Sequence, residues 1–170
     1  MLEPVRIGSL FSGIGGLERG LERAGVGRVI WQVERDPFCR DVLARHWPDA
    51  TRYDDVRSVG SANLAPVDVV CGGFPCQDVS VAGRGAGLDG ARSGLWGEYR
   101  RIVAEMRPEA VVVENVSALV ARGLDRVVRD LVQLGYEVEG SRIRADDVGA
   151  PHRRERLFLL ARRVADPVRE

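Results

Sequence analysis

The chain contains no lysine. All 25 of its basic residues are arginine, and 25 acidic residues balance them to a formal net charge of zero. A neutral chain does not announce a polyanionic partner through its overall field. Arginine nevertheless grips phosphates and carboxylates bidentately and stays charged. The stretch "PHRRERLFLLARR" gathers several, so a local basic patch is compatible with the neutral total. Cysteine is scarce: Cys39, Cys71 and Cys76 are few and odd in number. That argues against a disulfide framework and for a reducing compartment, so a cytoplasmic location is expected. No N-terminal stretch pairs a basic region with an apolar run, so no signal peptide is expected. No apolar run approaches the roughly 20 residues that span a bilayer, so no membrane association is expected. There is no internal repeat, and no metal site is expected.

What is present suits one compact domain over residues 1–170: 45% hydrophobic and 29% charged residues support a packed core without staples. Short β-branched runs alternate with helical patterns. "PVRIGSLF", "RVIWQVE", "VDVVCGG" and "EAVVVENV" read as strands, and "YEVEGSRIRA" and "RLFLLARR" as two final ones. "GLERGLERAG" reads as a helix stopped by Gly25. "DPFCRDVLARHW" opens a second helix with Asp36 as N-cap and Pro37 in its first turn. "LDRVVRDLVQLG" is a third, amphipathic one. The alternation predicts an α/β domain with a mostly parallel sheet. Ligands of such sheets sit beyond the carboxyl ends of the strands. Residues 79–94 hold five glycines and few apolar residues, which reads as a mobile functional loop.

Four sites stand out at strand ends. Gly13, Gly15 and Gly16 separate a strand from a helix, and Glu34 ends the next strand about 20 residues on, where an acid can hold ribose hydroxyls. This pattern points to a nucleoside-type cofactor; a ligand-free glycine turn is the bland alternative. Cys76 follows Pro75 at a strand's carboxyl end before a polar loop, so it is a candidate nucleophile or a packed thiol. Cys39 and Cys71 read as packing. Glu114 directly follows the run "AVVV" and needs a partner or a task. A carboxyl there can share or donate a proton, or cap a helix, or pair with an arginine. Arg154 and Arg156 lie two apart before a strand, so their side chains share one face. They suit a phosphate, a base carbonyl, or Glu114; the alternative is a charged, solvated edge.

In order along nearly the whole chain, "LFSGIGG", "VERD", "DDV", "GGFPCQDVS", "AGRGAGLDGARSGLW", "ENV" and "ADDVGAPHRRERLF" resemble the motifs of the DNA (cytosine-5) methyltransferase family. His152 stands where glutamine is usual in the arginine motif. The resemblance implies a Rossmann-like S-adenosylmethionine-dependent methyltransferase fold: a mostly parallel sheet, helices on both faces, and an antiparallel final strand. It implies methyl transfer from S-adenosyl-L-methionine to carbon 5 of cytosine in double-stranded DNA, with the base flipped out of the helix. Cys76 would be the nucleophile, Glu114 would hold the ring, Arg156 would sit near the base carbonyl, and Arg154 would orient Glu114 or the loop. Phe11, Gly13, Gly15, Gly16, Glu34, Arg35, Asp55, Val56 and Leu95 would line the cofactor site. Pro75, Gln77, Ser80, Arg92 and Asn115 would belong to the loop and the DNA contact. The chain departs from the family's pattern after the arginine motif, where a target-recognition region and a final segment are usual. The expectation is the catalytic half of a split enzyme, or a minimal phage-type enzyme, in a bacterial or phage-infected cell. A second polypeptide would carry recognition, and one face of the sheet would lack its cover. A truncated subunit that binds S-adenosylmethionine without catalysis is the alternative. A nicotinamide-dependent oxidoreductase fits the glycine turn and Glu34 but leaves Cys76, Glu114 and the arginine pair without roles.

Overall fold

The computed structural model describes residues 3–75 and 94–164. Seven strands form one sheet: β1 (Arg6–Leu10), β2 (Arg28–Val33), β3 (Thr51–Tyr53), β4 (Val69–Gly72), β5 (Ala110–Val116), β6 (Tyr136–Arg144) and β7 (Glu155–Arg163). Four helices accompany them: α1 (Gly16–Arg23), α2 (Pro37–His46), α3 (Gly94–Met106) and α4 (Leu124–Gln133). The strand order is β3-β2-β1-β4-β5-β7-β6. Pairing is parallel from β3 across to β5, and β7 enters antiparallel between β5 and β6. The expected mostly parallel sheet with an antiparallel final strand is therefore present. Chain order reverses between β1 and β4, and such a switch point leaves a crevice at the strands' carboxyl ends.

Period-two alternation sorts the strand residues onto two faces. On β5, Val111, Val113 and Asn115 are buried, while Ala110, Val112 and Glu114 are only half-buried. The buried set meets Trp96, Tyr99, Ile102 and Val103 of α3 and Val127 and Leu131 of α4, forming the larger core. The opposite face meets Leu43 of α2 and Leu17 and Leu21 of α1 in a smaller cluster with Ile7, Val29, Val69 and Cys71. Each fully buried Val, Leu or Ile in these layers contributes about 1.5–3 kcal/mol. Toward β5 and β7 this face is incompletely covered: a groove of about 540 Å³ runs along Leu21, Val69, Ala110, Val112, Phe158 and Leu160, with α1 bordering one side, where an apolar surface lacking its full cover was expected.

Local signals act as expected at the helix ends. Asp36 accepts from the Cys39 backbone N–H and Pro37 opens α2. α1 closes with Gly25 at φ 74° and the Val26 N–H on the Leu21 carbonyl. Gly8 is required by packing: a Cβ there would lie 2.0 Å from the Trp31 ring, whose indole N–H donates to the Ala65 carbonyl at 2.9 Å.

Candidate active site

The turn after β1 is built from backbone that side-chain-bearing residues seldom adopt. Phe11, Gly13 and Gly15 have φ of 56°, 54° and 87°. Phe11 is the exception among them, a bulky residue in the left-handed region, a conformation that persists only where surroundings impose it. Gly15 has a second reason: a Cβ there would meet the Trp47 ring at 2.4 Å. It therefore lies beneath the turn, while Gly16 lines a cavity. Glu34 ties the turn to β2. Its Oε2 accepts from the Gly13 N–H at 2.7 Å, and its Oε1 from the Asp36 N–H at 2.8 Å. Asp55 turns its own chain, accepting from the Arg57 N–H at 2.9 Å.

These elements enclose a cavity of about 410 Å³ lined by Phe11, Glu34, Arg35, Asp55, Val56, Pro75 and Leu95. Six of the nine residues expected at a cofactor site thus converge on one space of ligand size. Gly13 joins them through its hydrogen bond to Glu34. The donor set suits a nucleoside: carboxylates at Glu34 and Asp55 for hydroxyl and amine groups, and Phe11, Val56 and Leu95 for an apolar ring.

A second cavity, of about 560 Å³, shares Phe11 and Gly73 with the first and is lined also by Glu18, Glu114, Arg154 and Phe158. In the β5–β7 ladder Glu114 stands opposite Phe158, so Arg156 is its diagonal neighbour on the same face. The Arg156 Nε lies 2.9 Å from Glu114 Oε1, and the two side chains are 23% and 30% exposed. Arg156 also donates to the Glu155 carbonyl at 2.8 Å. Gly73 explains why its position carries no side chain: a Cβ would lie 2.7 Å from Glu114 Oε2. Arg154 is exposed at the cavity wall, on the same side as expected from its spacing.

Asn115 points to the other face of the sheet. Its buried amide donates to the Phe74 carbonyl at 3.1 Å and accepts from the Val116 N–H at 2.8 Å. It meets the chain at the base of the loop rather than the cavity. Phe74 packs on Trp96 with ring centroids 5.2 Å apart, Trp96 on Tyr99 at 5.5 Å, and Tyr99 on Phe11 at 6.4 Å. Trp96 is further tethered by its indole N–H to Asp130 at 2.8 Å. Cys76, Gln77, Ser80 and Arg92 lie outside the described residues. Of the other thiols, Cys71 is fully buried in β4, where burial pushes its thiol far up, and Cys39 is half-buried in α2.

Sequence reasoning missed Glu18. It is 1% exposed and accepts from the Ser9 hydroxyl at 2.5 Å, and Ser9 in turn accepts from the Ser12 hydroxyl at 2.8 Å. Burial raises its carboxyl above the usual range, against the lowering effect of the Ser9 hydrogen bond. The available signal was its place between Leu17 and Leu21 on the inward side of α1.

The family model for C-5 cytosine-specific DNA methylase matches residues 5–169. Among curated relatives, the Type II methyltransferase M2.BsuMI of Bacillus subtilis is 35% identical over 171 residues, which cover 96% of this chain and 43% of the relative. The Type II methyltransferase M.AquIA of Picosynechococcus sp. is 32% identical over 177 residues, covering 92% of this chain and 71% of the relative. The chain spans less than half the length of several others, 43% of M.NlaIV of Neisseria lactamica among them. A solved DNA modification methyltransferase encoded within an E. coli prophage superposes with a TM-score of 0.77 at 27% identity, over 94% of this chain and 47% of that one. The Entamoeba histolytica methyltransferase EhMeth gives 0.81 at 19% identity, over 99% and 56%, a likeness of fold.

Proposed function

The chain belongs to the C-5 cytosine-specific DNA methylase family, and from that premise we propose that residues 1–170 form the catalytic domain of an S-adenosylmethionine-dependent DNA cytosine-5 methyltransferase. The observation that carries this reading is the meeting of two cavities at Gly73, three residues before Cys76. One is lined by Glu34 and Asp55, the other by Glu114 and Arg154, with Arg156 paired to Glu114.

Glu34, Asp55, Val56, Phe11 and Leu95 would hold the nucleoside part of S-adenosylmethionine, and the Gly13–Gly16 backbone its amino-acid part. Bound there, that group supplies a methyl carried on a positively charged sulfur. The remaining work belongs to this chain. A thiolate at Cys76 would add to carbon 6 of a flipped cytosine, leaving carbon 5 electron-rich. The ring accepts this poorly unless the charge it gains is drawn off at nitrogen 3 and the exocyclic amine. Glu114 is suited to that task. Arg156 fixes its carboxylate at 2.9 Å, and the gap at Gly73 lets it reach the crevice. Arg156 and Arg154 supply positive charge for the base carbonyl or a phosphate. Once carbon 5 carries the methyl that S-adenosylmethionine would supply, loss of the carbon-5 proton to solvent water and expulsion of the Cys76 thiolate would restore the aromatic ring.

Reading a DNA sequence needs side chains in a groove, and we assign that task to protein outside these 170 residues. The groove along Leu21, Val112 and Phe158 suits a segment from the same source. A Type II relative of which these residues make up 71% supports a short catalytic unit. The reaction would proceed in the cytoplasm, where DNA and S-adenosylmethionine meet.

The test is transfer of labelled methyl from S-adenosylmethionine to unmethylated DNA by this chain, with Cys76→Ser beside it. Incorporation that disappears in Cys76→Ser is expected, either from the chain alone or after its partner is added. Label that survives the substitution would sink the covalent mechanism.

A further inference from the structure

The glycine turn is held from two sides by two carboxylates, and Glu34 accepts directly from its Gly13 N–H. The other hold runs through three residues from three elements: the Ser12 hydroxyl in the turn donates to Ser9 Oγ on β1 at 2.8 Å, and the Ser9 hydroxyl donates to Glu18 Oε1 on α1 at 2.5 Å. Ser12 sits between Phe11 and Gly13, both left-handed. Its backbone is bonded as well, its N–H to the Val33 carbonyl at 3.2 Å and its carbonyl to the Gly15 N–H at 3.0 Å. The strained part of the turn is thus fixed at Ser12 as well as at Gly13, and the tether from the Ser12 side chain ends on Glu18.

We propose that Glu18 is a positioning residue for the cofactor turn, acting through Ser9 and Ser12 to hold the Gly13–Gly16 backbone in its ligand-binding shape; this rests on the reading of that turn as the S-adenosylmethionine site. The Glu18 oxygen accepts from Ser9, and Ser9 in turn accepts from Ser12, so both hydroxyl protons run along one relay toward Glu18. Hydrogen bonds in such a chain polarise one another and are stronger than isolated bonds. The cross-strand neighbours do not substitute. Gln32, opposite Ser9 on β2, is fully buried with neither amide atom bonded among the described residues. Cys71, opposite on β4, is also within reach of the Ser9 hydroxyl, but sulfur is a weak acceptor beside a carboxyl oxygen. The charged neighbours are Glu34 across the turn, which disfavours the Glu18 charge, and Glu114 and Arg154 on the same cavity wall. A carboxylate kept in so buried a place, with its ionisation disfavoured by burial, needs a compensating task.

The experiment measures S-adenosylhomocysteine affinity by calorimetry and amide exchange across the turn, in the full chain and in Glu18→Gln, Glu18→Leu, Ser9→Ala and the Ser9→Ala/Glu18→Leu pair. Glu18→Leu is expected to weaken binding about tenfold and to speed exchange at residues 12–16, with β5 and β7 unchanged. Glu18→Gln keeps an acceptor for Ser9 and is expected within about threefold of the parent. The pair is expected to be no worse than the worse single variant, because both break one relay. If Glu18→Leu does not unfold cooperatively, Ser9→Ala carries the same expectation. Parental affinity and exchange in Glu18→Leu, or additive losses in the pair, would overturn the proposal. A parent chain that binds no S-adenosylhomocysteine would defeat the assigned function instead, and the exchange pattern at residues 12–16 would still decide whether Glu18 holds the turn.

Discussion

On the α3/α4 face of the sheet, Val111, Val113, Leu157 and Leu159 are all buried against Trp96, Tyr99, Ile102, Val127 and Leu131. On the α1/α2 face the same two strands carry Val112, Glu114, Arg156 and Phe158, all half-buried, and Val112, Glu114 and Phe158 line two cavities. That face also holds the Ser9–Glu18 bond and a fully buried Gln32 whose amide has no hydrogen-bond partner among the described residues. One face consists of apolar side chains packed to completion. The other gives up part of that packing for polar groups whose partners are few and directed. Stability and chemistry are thereby separated by the width of a single strand: Val113 and Glu114 are consecutive residues facing opposite ways. A substitution on one face is expected to register in one measurement and leave the other nearly untouched.

The sharpest break of this contrast is Glu114→Gln, which keeps the shape and removes the charge. It is expected to lower methyl transfer by about a thousandfold, while the thermal midpoint stays close to that of the parent. A steady-state assay beside a melting curve reads both. On the opposite face, Ile102→Ala empties a fully buried site in α3. The loss is expected to be about 3 kcal/mol in stability, with the rate per folded molecule unchanged. Equal losses of rate and stability in either variant would mean that the two faces are not independent.

The smallest effect sharpens the contrast through pH. Glu18 is buried and its carboxyl raised. The folded chain therefore keeps that proton to higher pH than the unfolded one, and stability falls as pH rises from the ordinary glutamate value through the raised value. At the sheet's rim Asp68 is the opposite case. The Arg6 side chain and backbone N–H, the latter at 2.7 Å, hold its carboxyl below the usual range. Its contribution is present above the ordinary aspartate value and is lost as pH falls through the lowered one. Glu18→Gln is thus expected to gain on the parent as pH rises through the carboxylate range, and Asp68→Asn to lose. Denaturant midpoints across acid pH would expose slopes of the same sign, which would contradict the assignment.

Much of this architecture was legible in advance because single residues announce it. Asp36 and Pro37 mark the start of α2, Gly25 the end of α1, and the runs "VDVVCGG" and "EAVVVENV" the strands β4 and β5, of which only β4 is buried on both faces. β3 was not legible, since three residues are too short to show a period. α3 was hidden for another reason. It opens in a glycine-rich stretch and contains Gly94 and Gly97, although Trp96, Tyr99, Ile102 and Val103 do fall on one helical face. At the site, the convergence of Phe11, Glu34, Asp55 and Leu95 followed from strand ends meeting at a switch point. Glu18 could not be found that way. It stands among charged residues on a short helix, and only the tertiary approach of Ser9 makes its carboxylate an interior group.

The Phe74–Trp96 ring contact has a topological consequence. It pins together the two points from which residues 76–93 depart and return. The chain between them is a closed circuit whose closure is secured by the core on either side. The core thus fixes both the place from which the chain enters residues 76–93 and the place at which it returns.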